Sequence, residues 1–124
     1  MGISDPSFGL RHHVVEGLTV LTLHGELDAW ADQELESCLR EFLDRAGSDV
    51  VVDLRQVTFL DAGGLRLLVR IRNRTAATGR ALRLVRCAPR VWRVMGITRL
   101  DRSFTVLDAL PAELDVPDGD DVPA

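Results

Sequence analysis

Residues 7–15 carry apolar anchors at Phe8, Leu10 and Val14 and predict a short edge strand. From Thr19 to Gly25 the chain alternates, with Leu21 and Leu23 on one face and Thr22 and His24 on the other, which is strand period. Glu16-Gly17 between the two runs is a hairpin signal. The period then changes. Ala31, Leu35, Cys38, Leu39 and Phe42 recur at steps of three and four, so a helix is predicted from Asp28 to about Ala46. Asp28 is placed to cap its first turn, Asp32, Glu34 and Glu36 suit its positive end, and Gly47 follows as a terminator.

Val50-Val51-Val52-Asp53-Leu54 is β-branched with little alternation, the pattern of a central strand covered on both faces. After a linker, Asp61 opens a second predicted helix that runs to about Thr78 and closes at Gly79, with Leu65, Leu68, Val69, the stem of Arg72 and Ala76 as its core side. Residues 81–86 predict a further strand, Pro89 to Met95 a short helix entered through proline, and Phe104 to Leu107 a last strand. The order is β-β-α-β-α-β-α-β. Strands separated by helices imply crossover connections and a mixed α/β sheet with mostly parallel pairing. One domain is expected over residues 1–110. The stretch 111–124 holds three prolines and five acids without an apolar period, so it is expected to be a mobile acidic tail.

Composition narrows the functional classes. At 124 residues, 46% hydrophobic and 27% charged, the chain is an ordinary globular domain. No run approaches the ~20 apolar residues of a membrane helix, and no signal peptide is visible at the start, so a cytoplasmic protein with no membrane insertion is expected. Lysine is absent and all 15 basic residues are arginine, which excludes a P-loop and a Schiff-base lysine. Aromatics at 5% and a net charge of −4 argue against nucleic-acid binding. Six acids and no base follow Arg102. Taking that −6 from the total of −4 leaves the preceding chain at +2. Cys38 and Cys87 have apolar neighbours and read as reduced core thiols.

No enzyme is expected. There is no nucleophile elbow, and His24, Glu26 and Asp28, although they alternate along one face, have no further ligand spacing beside them. His12 and His13 are adjacent on a strand and point to opposite faces. No metal and no cofactor are therefore assigned. The informative stretch is Asp61-Ala62-Gly63-Gly64-Leu65, where a tight turn opens a helix. Asp61 can accept from the amides near Gly63 and Gly64, and two glycines offer either a plain tight turn or bare backbone that another molecule can approach. Arg66, Arg70 and Arg74 follow at steps of four along one stripe, either a solvated basic face or a docking strip. Trp30 lies off the apolar stripe of the first helix and is either a contact residue or a ring folded over a core edge.

The chain resembles the STAS domain family, specifically the single-domain anti-sigma factor antagonists, over about residues 8–110. The landmarks are Gly25-Glu26-Leu27-Asp28, Val51-Val52-Asp53-Leu54, Thr58-Phe59-Leu60-Asp61 before Gly64-Leu65, Gly79 to Val85, Val91 to Gly96, Leu100-Asp101 and Phe104. The resemblance implies a mixed sheet with four helices on one side, the last a short one after Asp108. It also implies a protein-interaction module in a partner-switching circuit. Its partner would be an anti-sigma factor with a serine-kinase-like fold, docked over Asp28, Trp30, Asp61, Ala62, Gly63, Gly64, Leu65, Arg66 and Arg70. A weak homodimer is a second candidate assembly. Family members are phosphorylated on a serine in Asp-Ser-Ser/Thr-Gly-Leu. Here Gly63 stands at that serine's position and Ala62 beside it, so the usual switch has no hydroxyl to act on. The family also includes accessory subunits of lipid transporters and small-ligand sensors, which form the alternative expectation.

Overall fold

The computed structural model describes residues 7–45 and 47–115, and the backbone of residues 120–121. Six strands form one sheet: β1 (Phe8–Val15), β2 (Leu18–Leu27), β3 (Val50–Leu60), β4 (Leu82–Val85), β5 (Thr105–Leu107) and β6 (Asp120–Asp121). Three α-helices connect them: α1 (Ala29–Arg45), α2 (Ala62–Ala77) and α3 (Pro89–Ile97). The strand order is β5-β4-β3-β2-β1-β6. Pairing is parallel from β2 through β5 and antiparallel at β1–β2 and β1–β6, so the sheet is mixed and mostly parallel as expected. No helix among the described residues is long and apolar enough to cross a membrane.

The β1–β2 hairpin turns on Glu16 and Gly17, both with positive φ (50° and 80°), and Val15 pairs directly with Leu18. Two left-handed central residues give a turn whose twist matches the flanking strands. The three helices lie on one face of the sheet. Leu35, Leu39 and Leu43 of α1, Leu67, Leu68 and Ile71 of α2, and Met95 of α3 share one core with Leu21, Leu23, Val52, Leu54 and Leu84 of the strands. His12 packs on Phe42 on that side, 4.2 Å between ring centroids, while His13 Nε2 lies 2.8 Å from the Leu114 carbonyl on the other. Cys38 and Cys87 are buried and not joined, and burial pushes both thiols above their ordinary pKa.

Three sequence expectations need correction. The linker after Leu54 is strand: β3 continues to Leu60, with register shifts against β2. Arg55, Gln56, Thr58 and Phe59 are exposed while Val57 and Leu60 are buried, so period two is lost and the strand is masked. In α2 the buried set is Gly63, Gly64, Leu65, Leu67, Leu68, Ile71 and Thr75, and Ala76 is exposed. The helix is thus rotated toward Ile71 relative to the predicted core side.

The third correction concerns the acidic tail. Residues 111–115 are not loose. Leu110 and Leu114 are buried on the second sheet face against Val20, Val51 and Val85. A 3₁₀ turn over Ala112–Leu114 stands where a short last helix was expected. Asp53, 1% exposed on this side, is held by a fork from Arg55 at 2.9–3.2 Å, and Arg55 also reaches Asp115 at 3.5 Å. Apolar burial and this charge pair hold the stretch, and neither has a helical or strand period to announce it. Beyond Asp115, residues Asp120 and Asp121 pair with β1, and the remainder of the tail lies outside the described residues.

Candidate functional site at the start of the second helix

Parallel pairing of β2 and β3 brings their carboxyl ends together, with Leu27 opposite Leu60. The helices that follow therefore begin side by side. Asp28 caps α1, its Oδ1 accepting from the Ala31 amide at 2.9 Å. Asp61 caps α2, its Oδ1 accepting from Gly63 N at 2.9 Å and Gly64 N at 3.3 Å, as its position before two glycines predicts. The Asp61 amide itself donates to Leu27 O at 3.3 Å, tying the two starts.

Gly63 and Gly64 are buried in this junction, and this overturns the expectation of exposed main chain. A Cβ on Gly63 would sit 2.3 Å from Ala29 N, 2.5 Å from Ala29 Cα and 2.7 Å from Asp28 C. A Cβ on Gly64 would sit 2.3 Å from Leu27 O. The glycines serve a close backbone–backbone approach inside the protein, which is the tight-turn alternative. Leu65 is buried as well, at 7% exposure. None of these three offers a partner its surface.

The arginine stripe is also committed internally. Arg70 Nη2 donates to Asp32 Oδ2 at 2.6 Å, and its other terminal nitrogen lies 3.2 Å from Glu36. Arg66 lies 3.9 Å from Asp32, and Arg74 grips Asp44 with two bonds of 3.1 Å. Arg74 holds the Asp44 carboxyl below the usual carboxylate range. Asp32 and Glu36, two of the acids that suit the start of α1, thus face α2 across the helix seam. Asp32 is 3% exposed and its Oδ1 has no hydrogen-bond partner. Arg70 is therefore a seam residue first, whereas Arg66, with two-thirds of its side chain exposed, still faces solvent.

What remains on the surface is smaller and more apolar than predicted. Trp30 is 50% exposed, its ring edge-on to Phe8 at 5.5 Å and its Nε1 donating to Glu34 at 3.1 Å. One part of the ring covers the core edge and the other faces out. Ala62 and Ala29 are exposed, and Asp28 and Asp61 are half-buried. Phe59, 47% exposed on the last turn of strand before Asp61, belongs to the same end of the sheet. The sequence reading missed it because it assigned residue 59 to a linker. A large apolar residue two places before a helix cap was the available signal. His24 does not join Glu26 and Asp28 as a ligand set: its ring lies over Gly9, where a Cβ would meet Nε2 at 2.3 Å. Among the described residues no three His, Cys, Asp or Glu side chains are placed to share a metal.

With this geometry in view, the comparisons are clear. The chain belongs to the STAS domain family, whose model matches residues 10–113. A STAS-domain containing protein of Pseudomonas aeruginosa (strain UCBPP-PA14) is 30% identical over 56 residues, 45% of this chain and 55% of that protein, so the match spans about half of that relative's length. An anti-sigma factor antagonist from Mycobacterium paratuberculosis superposes with a TM-score of 0.77 at 25% identity, covering 90% of this chain and 96% of that one. The anti-sigma factor antagonist SpoIIAA, a Bacillus cell fate determinant, superposes in its unphosphorylated form with a TM-score of 0.62 at 20% identity, covering 83% and 89%. That protein is also known in a phosphorylated form.

Proposed function

We propose that this chain is a cytoplasmic protein-interaction module of the anti-sigma factor antagonist kind, holding its partner-binding shape without a phosphorylation switch. The observation that carries the reading is the closed turn at Gly63. At the two positions where the family resemblance puts hydroxyl residues, Ala62 and Gly63, this chain has none, and at Gly63 the α1 backbone fills the space a side chain would need. The loss of the serine and the close approach of Ala29 form one consistent arrangement. The partner is an anti-sigma factor with a serine-kinase-like fold. It docks on Trp30, Phe59, Ala62 and Arg66, with Asp28 and Asp61 at the margin and Gly63, Gly64 and Leu65 shaping the surface from below. Half-exposed aromatic rings beside an arginine are the residue types that anchor interfaces. No residue of this surface is given a catalytic role.

The ligand-sensor reading has one observation in its favour, a cleft of about 480 Å³ between α1 and α2 lined by Leu39, Leu43, Leu67 and Ile71 under Arg70 and Arg74. Its volume is that of a small-molecule site. Its floor argues against it: those four side chains are each no more than 3% exposed, which leaves a ligand little apolar wall.

The test is capture of the anti-sigma partner by the intact chain and by Ala62→Asp and Trp30→Ala. Each substitution changes an exposed side chain and leaves the Gly63 junction intact. Partner capture falls at least tenfold for both on this reading. Undiminished capture by both would place the docking surface elsewhere.

A further inference from the structure

The arginines are unevenly placed. From Gly79 to Leu107 seven arginines meet one acid, Asp101, a formal +6, and taking that from the total of −4 leaves −10 on the rest of the chain. Arg86 is paired with Asp108 at 2.6 Å. Among the described residues no ion pair engages Arg90, Arg93, Arg99 or Arg102, and all four are exposed. Val91 and Met95 turn the inner side of α3 into the core, so Arg90, Arg93 and Ile97, at steps of three and four, form its outer side. Ile97 is 70% exposed. The chain leaves the helix through Arg99 and a 3₁₀ turn over Leu100–Ser103, in which the Arg102 amide donates to the Arg99 carbonyl at 3.3 Å. Arg72 of α2 reaches the end of that turn, its guanidinium 5.5 Å from the centre of the Phe104 ring.

Arg99 is the informative member. Its backbone is left-handed, at φ 62° and ψ 15°, one residue past the Thr98 cap of α3. Glycine is the default there, and an L side chain is strained. Among the described residues no hydrogen bond or ion pair of the Arg99 guanidinium offsets that strain. A charged side chain held in solvent at a glycine position points to a ligand outside the chain.

We propose that the outer side of α3 and the turn after it form an adsorption face for an anionic lipid surface, with Arg93, Arg99 and Arg102 on headgroup phosphates around an inserted Ile97. The face is convex, since it is the outside of a helix and a protruding turn, and offers a peptide no groove. The exposed aromatic rings, Trp30 and Phe59, are elsewhere, so nucleic-acid bases have nothing to stack on here. A plane of headgroups suits it: guanidinium forks match phosphate, and an apolar side chain ringed by arginines enters the acyl boundary. The −10 elsewhere does not cancel the attraction, because charges more than about 8 Å away are screened at physiological salt. No described helix is long and apolar enough to cross a membrane, so the contact is adsorption. This face is separate from the partner-binding one. The 3₁₀ turn leads into β5, which pairs parallel with β4, so Arg99 and Arg102 lie at the amino ends of the strands, opposite Trp30 and Ala62.

The experiment is co-sedimentation of the full chain with vesicles of phosphatidylglycerol and phosphatidylcholine in equal parts, and with vesicles of phosphatidylcholine alone. Partition into the anionic vesicles is expected to exceed that into the neutral ones at least tenfold at about 50 mM salt and to fall steeply by about 300 mM. Arg99→Gly with Arg102→Gln is expected to lose at least tenfold, each arginine at an anionic surface contributing about fivefold. Arg99→Gly alone relieves the left-handed residue, so it should melt no lower than the unaltered chain, which separates lost binding from lost folding. Arg40→Gln with Arg45→Gln removes the same charge from α1 and should leave the partition unchanged. Equal partition into both kinds of vesicle would overturn the proposal. So would an equal loss in the α1 variant, or vesicle binding abolished by duplex DNA at the same phosphate concentration, since the face would then be a general polyanion site.

Discussion

Replacing Gly63 with serine adds a hydroxyl to the motif that the resemblance compares with the family's, and should strain the protein. A Cβ at residue 63 meets only backbone atoms, at 2.3, 2.5 and 2.7 Å, so no rotamer change relieves it. To reach an ordinary contact the start of α1 must move by about 1 Å, carrying Asp28 and its cap of Ala31 with it. Overpacking of this kind costs about 1–3 kcal/mol, and a backbone obstacle places it toward the upper end. Serine recovers about 0.5 kcal/mol of helix propensity over glycine. The net loss is about 2 kcal/mol, a large part of a marginal total. For a domain of this size that is roughly 8 °C in the melting temperature. Thermal and urea unfolding of Gly63→Ser and Gly63→Ala measure it. Both should fall together, since the obstacle is to the Cβ and not to the hydroxyl. If Gly63→Ser melts within a degree of the unaltered chain, the close packing of the two helix starts is wrong.

Other consequences are as direct. Asp32→Ala removes the acceptor for Arg70 at 2.6 Å and the nearer charge for Arg66, and should destabilise by about 2 kcal/mol, a charged hydrogen bond's worth, in urea titration. The analogous Asp44→Ala removes an exposed, solvent-screened pair and should shift the urea midpoint far less. Leu114→Ala, at a site 5% exposed, should cost about 2 kcal/mol, which a loose tail would not show. Cys38 and Cys87 have thiol pKa values raised by burial, so at pH 8 both stay protonated and should resist alkylation until denaturant is added. Rapid modification of the native protein, read by mass spectrometry, would contradict their burial.

How much of this was legible in the sequence depends on how local each cause is. The Asp61 cap and the Glu16-Gly17 turn were legible because a side chain and its partner lie within three residues. The helical period of α1 placed Leu35 and Leu39 in the core for the same reason. Gly63 was legible as one of two adjacent glycines at a helix start. The cause of its closeness to Ala29 was not, because the obstructing backbone comes from a segment 34 residues earlier and depends on how β2 pairs with β3. The arginine stripe read as surface because its partners, Asp32, Glu36 and Asp44, are on another helix. Leu110 and Leu114 were lost among prolines and acids. Two residues have no period, and only the exposed far face of the sheet explains their burial.

On the proposed function, this chain binds an anti-sigma partner in one permanent form. Affinity for the anti-sigma partner, measured by calorimetry before and after incubation with that partner's kinase activity and ATP, tests it most directly. Unchanged affinity, with no phosphate on the peptide covering residues 61–65, is the predicted result. Loss of binding accompanied by phosphate on Thr58 or Thr75 would contradict it.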